Sequence, residues 1–154
     1  MKKIIQMQKS YTILWSFIFV FALVFAGCKT KVKPLTERIA KSWSAESVKE
    51  GSVVVYTKGG ANNTQGGYAQ FRLTLVDGGS AILIDRDNMT FSGVWQLTGD
   101  TKLSLKNLTP EPTGTAGTIE FTINSFDESK MVITRTTESI KTGKTINQYT
   151  LTNP

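Results

Sequence analysis

The chain of 154 residues carries 18 Lys+Arg against 12 Asp+Glu, one cysteine and no histidine. Its length suits one domain, since domains commonly run to about 100–200 residues. Without histidine there is no Ser-His-Asp or Cys-His nucleophile and no imidazole ligand, and one cysteine excludes both an intrachain disulfide and a zinc site of several Cys or His.

Residues 1–27 read as a targeting segment. Lys2, Lys3 and Lys9 form a positive start, Ile13 to Ala26 is apolar except for Ser16, and the small residues Ala26 and Gly27 precede Cys28. A cationic start, an apolar core and a small-residue cleavage site mark a secretory signal peptide. A membrane-spanning helix is the bland alternative, but fourteen residues reach about 21 Å against a hydrocarbon core of roughly 30 Å.

The stretch Val24-Phe25-Ala26-Gly27-Cys28 resembles the lipobox of bacterial lipoproteins, with Phe25 where that family more often has Leu. The resemblance implies cleavage before Cys28, a diacylglycerol on its thiol and an acyl chain on the new amino group. Stable anchoring takes more than one chain, and triacylation meets that requirement. The expected arrangement is a signal peptide over 1–27, a lipidated tether over 28–34 and a domain over 35–154. The chain would then be held on the membrane of a cell envelope without crossing it. Lys29, Lys31 and Lys33 follow the anchor. Lipoproteins exported to the cell surface tend to carry acids there, so the resemblance favours an outer-membrane lipoprotein facing the periplasm.

Removing residues 1–27, which hold three of the basic residues and none of the acidic ones, lowers the net charge from +6 to +3. No dense basic face remains, so nucleic acid is not an expected partner.

Pro34 to Lys41 predicts one or two helical turns, with proline at the start. Beyond it the pattern has period two, and the chain from residue 28 onward holds twenty threonines, a residue suited to the wet face of strands. The predicted strands are 43–48, 52–58, 68–76, 80–84, 91–97, 101–106, 118–125, 130–138 and 144–152. Asp77-Gly78-Gly79, Thr98-Gly99-Asp100 and Thr142-Gly143 mark short turns. Longer loops are expected at 58–67, rich in Gly and Asn, and at 107–117, with Pro110, Pro112, Gly114 and Gly117.

Phe71, Leu73 and Leu75 fall on one strand face, opposite Arg72 and Thr74. Phe91, Gly93, Trp95 and Leu97 form a second such row, Leu103 and Leu105 a third, and Ile119, Phe121 and Ile123 a fourth. Strands with one dry face must close around it. The expected fold is all-β, an antiparallel up-and-down barrel of about eight or nine strands after a short helical turn. A two-sheet sandwich is the competing closure.

Gly93-Val94-Trp95, Gly99-Asp100 and Leu103-Ser104-Leu105 look like the G-x-W…G-D…L-x-L pattern of lipocalin-like domains in small bacterial lipoproteins. The opening Ser42-Trp43-Ser44 after the Ile39 turn is similar too, with Lys41 standing where that family usually has Gly. The likeness runs over roughly 35–152. It implies a lipocalin-like barrel whose interior offers room for a small apolar ligand.

Candidate chemistry is sparse. Gly143-Lys144-Thr145 ends like a phosphate-binding loop, but Glu138 occupies the required first glycine and a strand pattern follows, so a hairpin turn is expected. Asp85-Arg86-Asp87-Asn88 lacks the further acids of a calcium loop and reads as an Asx turn. Neither Asp85 with Asp87 nor Asp127 with Glu128 has a neighbour that would split their proton affinities. No catalytic residue, metal ligand or cofactor is assigned, and an enzyme is not expected.

Trp43, Trp95, Phe71, Phe91, Phe121 and Tyr149 are read as core side chains that would equally suit a cavity wall. Tyr56 and Tyr68 are expected at a rim, where Tyr serves recognition. Register leaves the facing of Arg72 and Arg135 open, and no ligand-contact set is assigned. Two functions are expected from this pattern: binding of a small apolar ligand, or docking of another envelope protein by a packed barrel.

Overall fold

A computed structural model describes residues 32–153. The targeting segment and Cys28 therefore lie outside the described residues. Among these, no helix is long and apolar enough to cross a membrane.

One helical turn, α1 (Leu35–Ile39), leads into nine strands: β1 (Ser42–Glu50), β2 (Val53–Thr57), β3 (Arg72–Leu75), β4 (Ser80–Ile84), β5 (Thr90–Thr98), β6 (Lys102–Thr109), β7 (Ile119–Phe126), β8 (Lys130–Arg135) and β9 (Asn147–Thr152). All pairings are antiparallel, β3 to β9 follow one another as neighbours, and β1 pairs with β9. Closure through that pair makes an eight-stranded barrel and settles the choice against a sandwich.

The ninth strand departs from simple succession. One edge of β1 is shared: Ser42–Ser44 pair with β3, and Ser47–Glu50 pair with β2. β2 thus extends the sheet beyond β3 without entering the ring. Three expected strands are also shorter than predicted. Residues 66–70 form a 3-10 turn, so β3 begins at Arg72; β8 stops at Arg135; and β9 starts only at Asn147. Each corrected segment is where the chain leaves the ladder to make a loop over one barrel end, and alternation alone does not mark that departure.

Every predicted inward row is on the dry side. Phe71, Leu73, Leu75, Leu103, Leu105, Ile119, Phe121 and Ile123 are all buried, whereas Trp95 and Leu97 are half-buried against the core. Gly93 has a steric reason: a Cβ there would overlap the Lys106 carbonyl oxygen, beside the register shift between Ser92 and Val94. Bulges of this kind re-aim the following side chains.

The barrel ends differ. At the end holding the start of β1, α1 buries Ile39, and the fully buried Trp43 donates its indole N–H to the Ile39 carbonyl at 3.0 Å. Phe126 meets the Trp43 ring edge-on at 6.0 Å. Arg38 Nε donates to Glu128 Oε1 at 2.6 Å and Lys41 Nζ to the Glu128 carbonyl at 2.7 Å. The helix is therefore pinned across this end by an apolar plug and charged contacts.

Candidate functional site, the loop end of the barrel

The opposite end is built from the β1–β2 hairpin, the 58–71 segment, the β4–β5 turn, and the connections 110–118 and 136–146. Four of these are tied together through charged side chains. Glu50, at the end of β1, accepts from Tyr68 Oη at 2.8 Å and from Arg86 Nη1 at 3.1 Å. Arg86 also donates to Gln65 Oε1 at 2.9 Å and, through Nη2, to the Lys141 carbonyl. Lys141 Nζ in turn donates to Asp85 Oδ2 at 3.1 Å and Asp87 Oδ2 at 2.6 Å, and lies 5.2 Å from the centre of the Phe91 ring. An arginine suits the centre of such a knot because its planar fork presents several donors in fixed directions.

The local turns put these groups in place. The Asp85–Asn88 turn is an Asx turn as expected: Asp85 Oδ1 accepts from the Arg86 amide and Asp87 Oδ1 from the Met89 amide. The 3-10 turn Ile140–Thr142 ends at Gly143, with φ of 70°, so Gly143-Lys144-Thr145 is turn chain and not a phosphate loop. Gly67 lets the 58–71 segment lie directly on the β4–β5 turn, since a Cβ there would overlap the Arg86 carbonyl oxygen.

Protonation follows from these contacts. Burial disfavours the Lys141 cation, but its hydrogen bonds to Asp87 and Asp85 outweigh it and raise its proton affinity. Burial would raise Asp87, and Lys141 again outweighs it, leaving that carboxyl below the usual range. Tyr149 is pushed up to about 12, chiefly by burial. Tyr68 is raised still further by burial, the neighbouring Tyr149 and its bond to Glu50. Both phenols are therefore neutral donors at ordinary pH.

Beneath the loops lies an aromatic layer. Phe71 stacks on Tyr149 with ring centres 4.9 Å apart, and Phe121 and Tyr68 meet the same ring edge-on at 6.1 and 6.2 Å. Tyr56 and Tyr68, expected at a rim, are buried to 5% and 1% exposure. The correction has a simple cause: the 58–71 segment folds back over the barrel mouth and carries Tyr68 inward. Trp43, Phe71, Phe91, Phe121 and Tyr149 take the predicted core positions, with only Trp95 half-wet.

The two arginines left open by register part company. Arg72 lies opposite the inward row of β3 and donates to the carbonyls of Phe71 and Ala69. Arg135 continues the inward alternation of Met131 and Ile133 and sits across from Phe121 on β7. Its parity with those two apolar residues is the signal that could have marked it. Nothing local marked Arg86, Lys141 or Glu50, whose partners are distant in sequence. Asp127 caps its own turn through Ser129 and Lys130, and Glu128 pairs with Arg38. Among the described residues, no three His, Cys, Asp or Glu side chains converge as a metal site.

No family model matches this sequence, and no curated protein matches it. Among solved structures, the chain is similar to a lipocalin-like protein from Bacteroides uniformis, with a TM-score of 0.49 and 15% identity over 76% of this chain and 99% of that one. It is also similar to an uncharacterized protein from Bacteroides eggerthii, with a TM-score of 0.47 and 13% identity over 75% of this chain and 99% of that one. In fold, the chain is an antiparallel eight-stranded barrel with one extra strand, and a lipocalin-like protein is among its structural neighbours.

Proposed function

We propose that this protein is a lipid-anchored envelope lipoprotein that binds a small, largely apolar molecule at the loop end of its barrel, without catalysing a reaction on it. The observation that carries the binding reading is the asymmetry of the two ends. One is plugged by α1, Ile39 and Trp43. The other gathers the longest connections over a layer of aromatic rings that also bears hydrogen-bonding groups. Apolar walls with a few fixed polar groups are the usual make-up of a small-molecule site. The rings cross the barrel just below the loops, which argues for a shallow site above them in preference to a deep cavity. Anchoring rests on the lipobox resemblance around Cys28, and the periplasm-facing outer membrane remains the favoured location.

Mass spectrometry of protein purified from its native envelope tests the binding reading. A stoichiometric small molecule released on denaturation is the expected result. Ligand-free protein would turn the reading to docking of an envelope protein. The surface for that is β2, which pairs on one side with β1 and exposes Val53 and Val54 to 60% and 52%. For the anchor, Cys28→Ala is expected to abolish acylation and shift the protein to the soluble fraction; retention on membranes would overturn that part.

A further inference from the structure

The loop end holds a half-buried cation, Arg135, that the charged knot does not use. Arg135 makes no hydrogen bond or ion pair among the described residues, and its Nε is buried without an acceptor. The knot's own cations, Arg86 and Lys141, are each engaged by carboxylates, and Lys58 and Lys144 in the loops of this end are exposed to water. A buried N–H with no acceptor is a standing cost in a folded protein, and such orphans call for an explanation.

Its surroundings supply one. Arg135 faces the barrel interior between two neighbours. Phe121 is its direct cross-strand partner on β7. On β9 the pairing of Thr134 with Gln148 brings Asn147 alongside, and that of Ile133 with Tyr149 sets the tyrosine one inward position further down. The Asn147 side chain accepts from Thr142 and Thr145 through Oδ1 and donates to Tyr149 Oη through Nδ2, and as an amide it offers no charge to pair with the guanidinium. Tyr149 Oη accepts that bond at 3.4 Å, and its own proton reaches no acceptor among the described residues. The Tyr149 phenol stays protonated well past neutral pH. A guanidinium and a phenol, each with a donor to spare, thus lie on adjacent strands beside the same Phe121 ring.

We propose that Arg135 and Tyr149 form the headgroup site for a carboxylate whose apolar body lies against Phe121 and the neighbouring rings. This deepens the proposed function and rests on it. Two donors of fixed position suit the two oxygens of a carboxylate, and a charged acceptor makes the stronger hydrogen bond. The aromatic surroundings favour a monoanion with an apolar tail over a bare inorganic anion.

The test is equilibrium dialysis of labelled octanoate and of 1-octanol against the full chain in lipid nanodiscs, with empty nanodiscs subtracted. One octanoate per chain is expected. Arg135→Gln should weaken it by about tenfold or more while leaving 1-octanol unchanged, and Arg135→Lys should recover part of the loss. Tyr149→Phe, which keeps the ring, serves as an independent probe if Arg135→Gln does not fold, and should weaken octanoate alone. Equal binding of acid and alcohol, insensitive to both substitutions, would overturn the headgroup site and leave the ligand reading standing. Binding of neither probe would overturn both.

Discussion

Two tryptophans make the same hydrogen bond in different surroundings. Trp43 Nε1 donates to the Ile39 carbonyl at 3.0 Å, and Trp95 Nε1 to the Val76 carbonyl at 2.9 Å. Trp43 is fully buried, whereas Trp95 is half-buried and its bond lies at the surface. Phenylalanine at either position removes the donor and keeps an aromatic ring. At Trp43 the lost bond costs about 1 kcal/mol, and the volume left behind in a packed core adds about 1–2 kcal/mol. At Trp95 water takes over the carbonyl and the exposed ring edge loses little, so the cost is about 0.5–1 kcal/mol. At about 3–5 °C per kcal/mol for a domain of this size, Trp43→Phe should lower Tm by about 6–15 °C and Trp95→Phe by less than about 5 °C. Urea and thermal unfolding followed by circular dichroism measure both without relying on the altered fluorophores. Equal losses, or a loss at Trp43 below about 1 kcal/mol, would refute the claim that burial decides between two bonds of equal length.

Three further outcomes are expected. Arg86→Met should cost about 1–3 kcal/mol by urea unfolding, less than a fully buried pair because Arg86 and Glu50 retain 21% and 13% side-chain exposure; an unchanged midpoint would show that the knot does not hold the loops. The folded Asp87 carboxyl titrates below its ordinary value of 3.8, so its bond to Lys141 stabilises the fold above that value and the contribution is lost as pH falls through the lower folded one. Asp87→Asn should therefore destabilise at pH 7 and do so less and less as pH falls below 3.8, and a pH-independent difference would contradict the pairing. Gly67→Ala should cost about 1–3 kcal/mol by forcing the 58–71 segment off Arg86, read as faster amide exchange in that segment; unchanged protection would show that the segment does not rest on the β4–β5 turn.

Period-two alternation carried most of the barrel, because an inward row such as Phe71, Leu73 and Leu75 depends only on residues two apart. The same rule identifies Arg135 as inward once β8 is anchored by Met131 and Ile133. What alternation does not contain is partnership. That β1 serves both β2 and β3 depends on where the chain returns after residue 58, and the charged knot depends on Lys141 meeting Asp85 from 56 positions away. Tyr68 shows the same limit. Its local pattern suits either a strand or a rim, and only the fold-back of its loop, with Gly67 against Arg86, decides that it is buried.

The pairing of β1 with β9 joins residues as far apart as Ser44 and Thr152. Contacts of that span are slow to form, because loop closure must precede any gain from them. A chain that has not yet delivered β9 leaves two bare ladder edges, on β1 and on β8, and unpaired edges invite pairing with other chains. The barrel therefore has no stable partial form to stop at. In a chain exported as proposed, threading through a narrow channel, where it stays extended until its last strand has passed, would work with that delay and not against it. Shielding the two edges during the interval is then the task of whatever receives the chain on the far side.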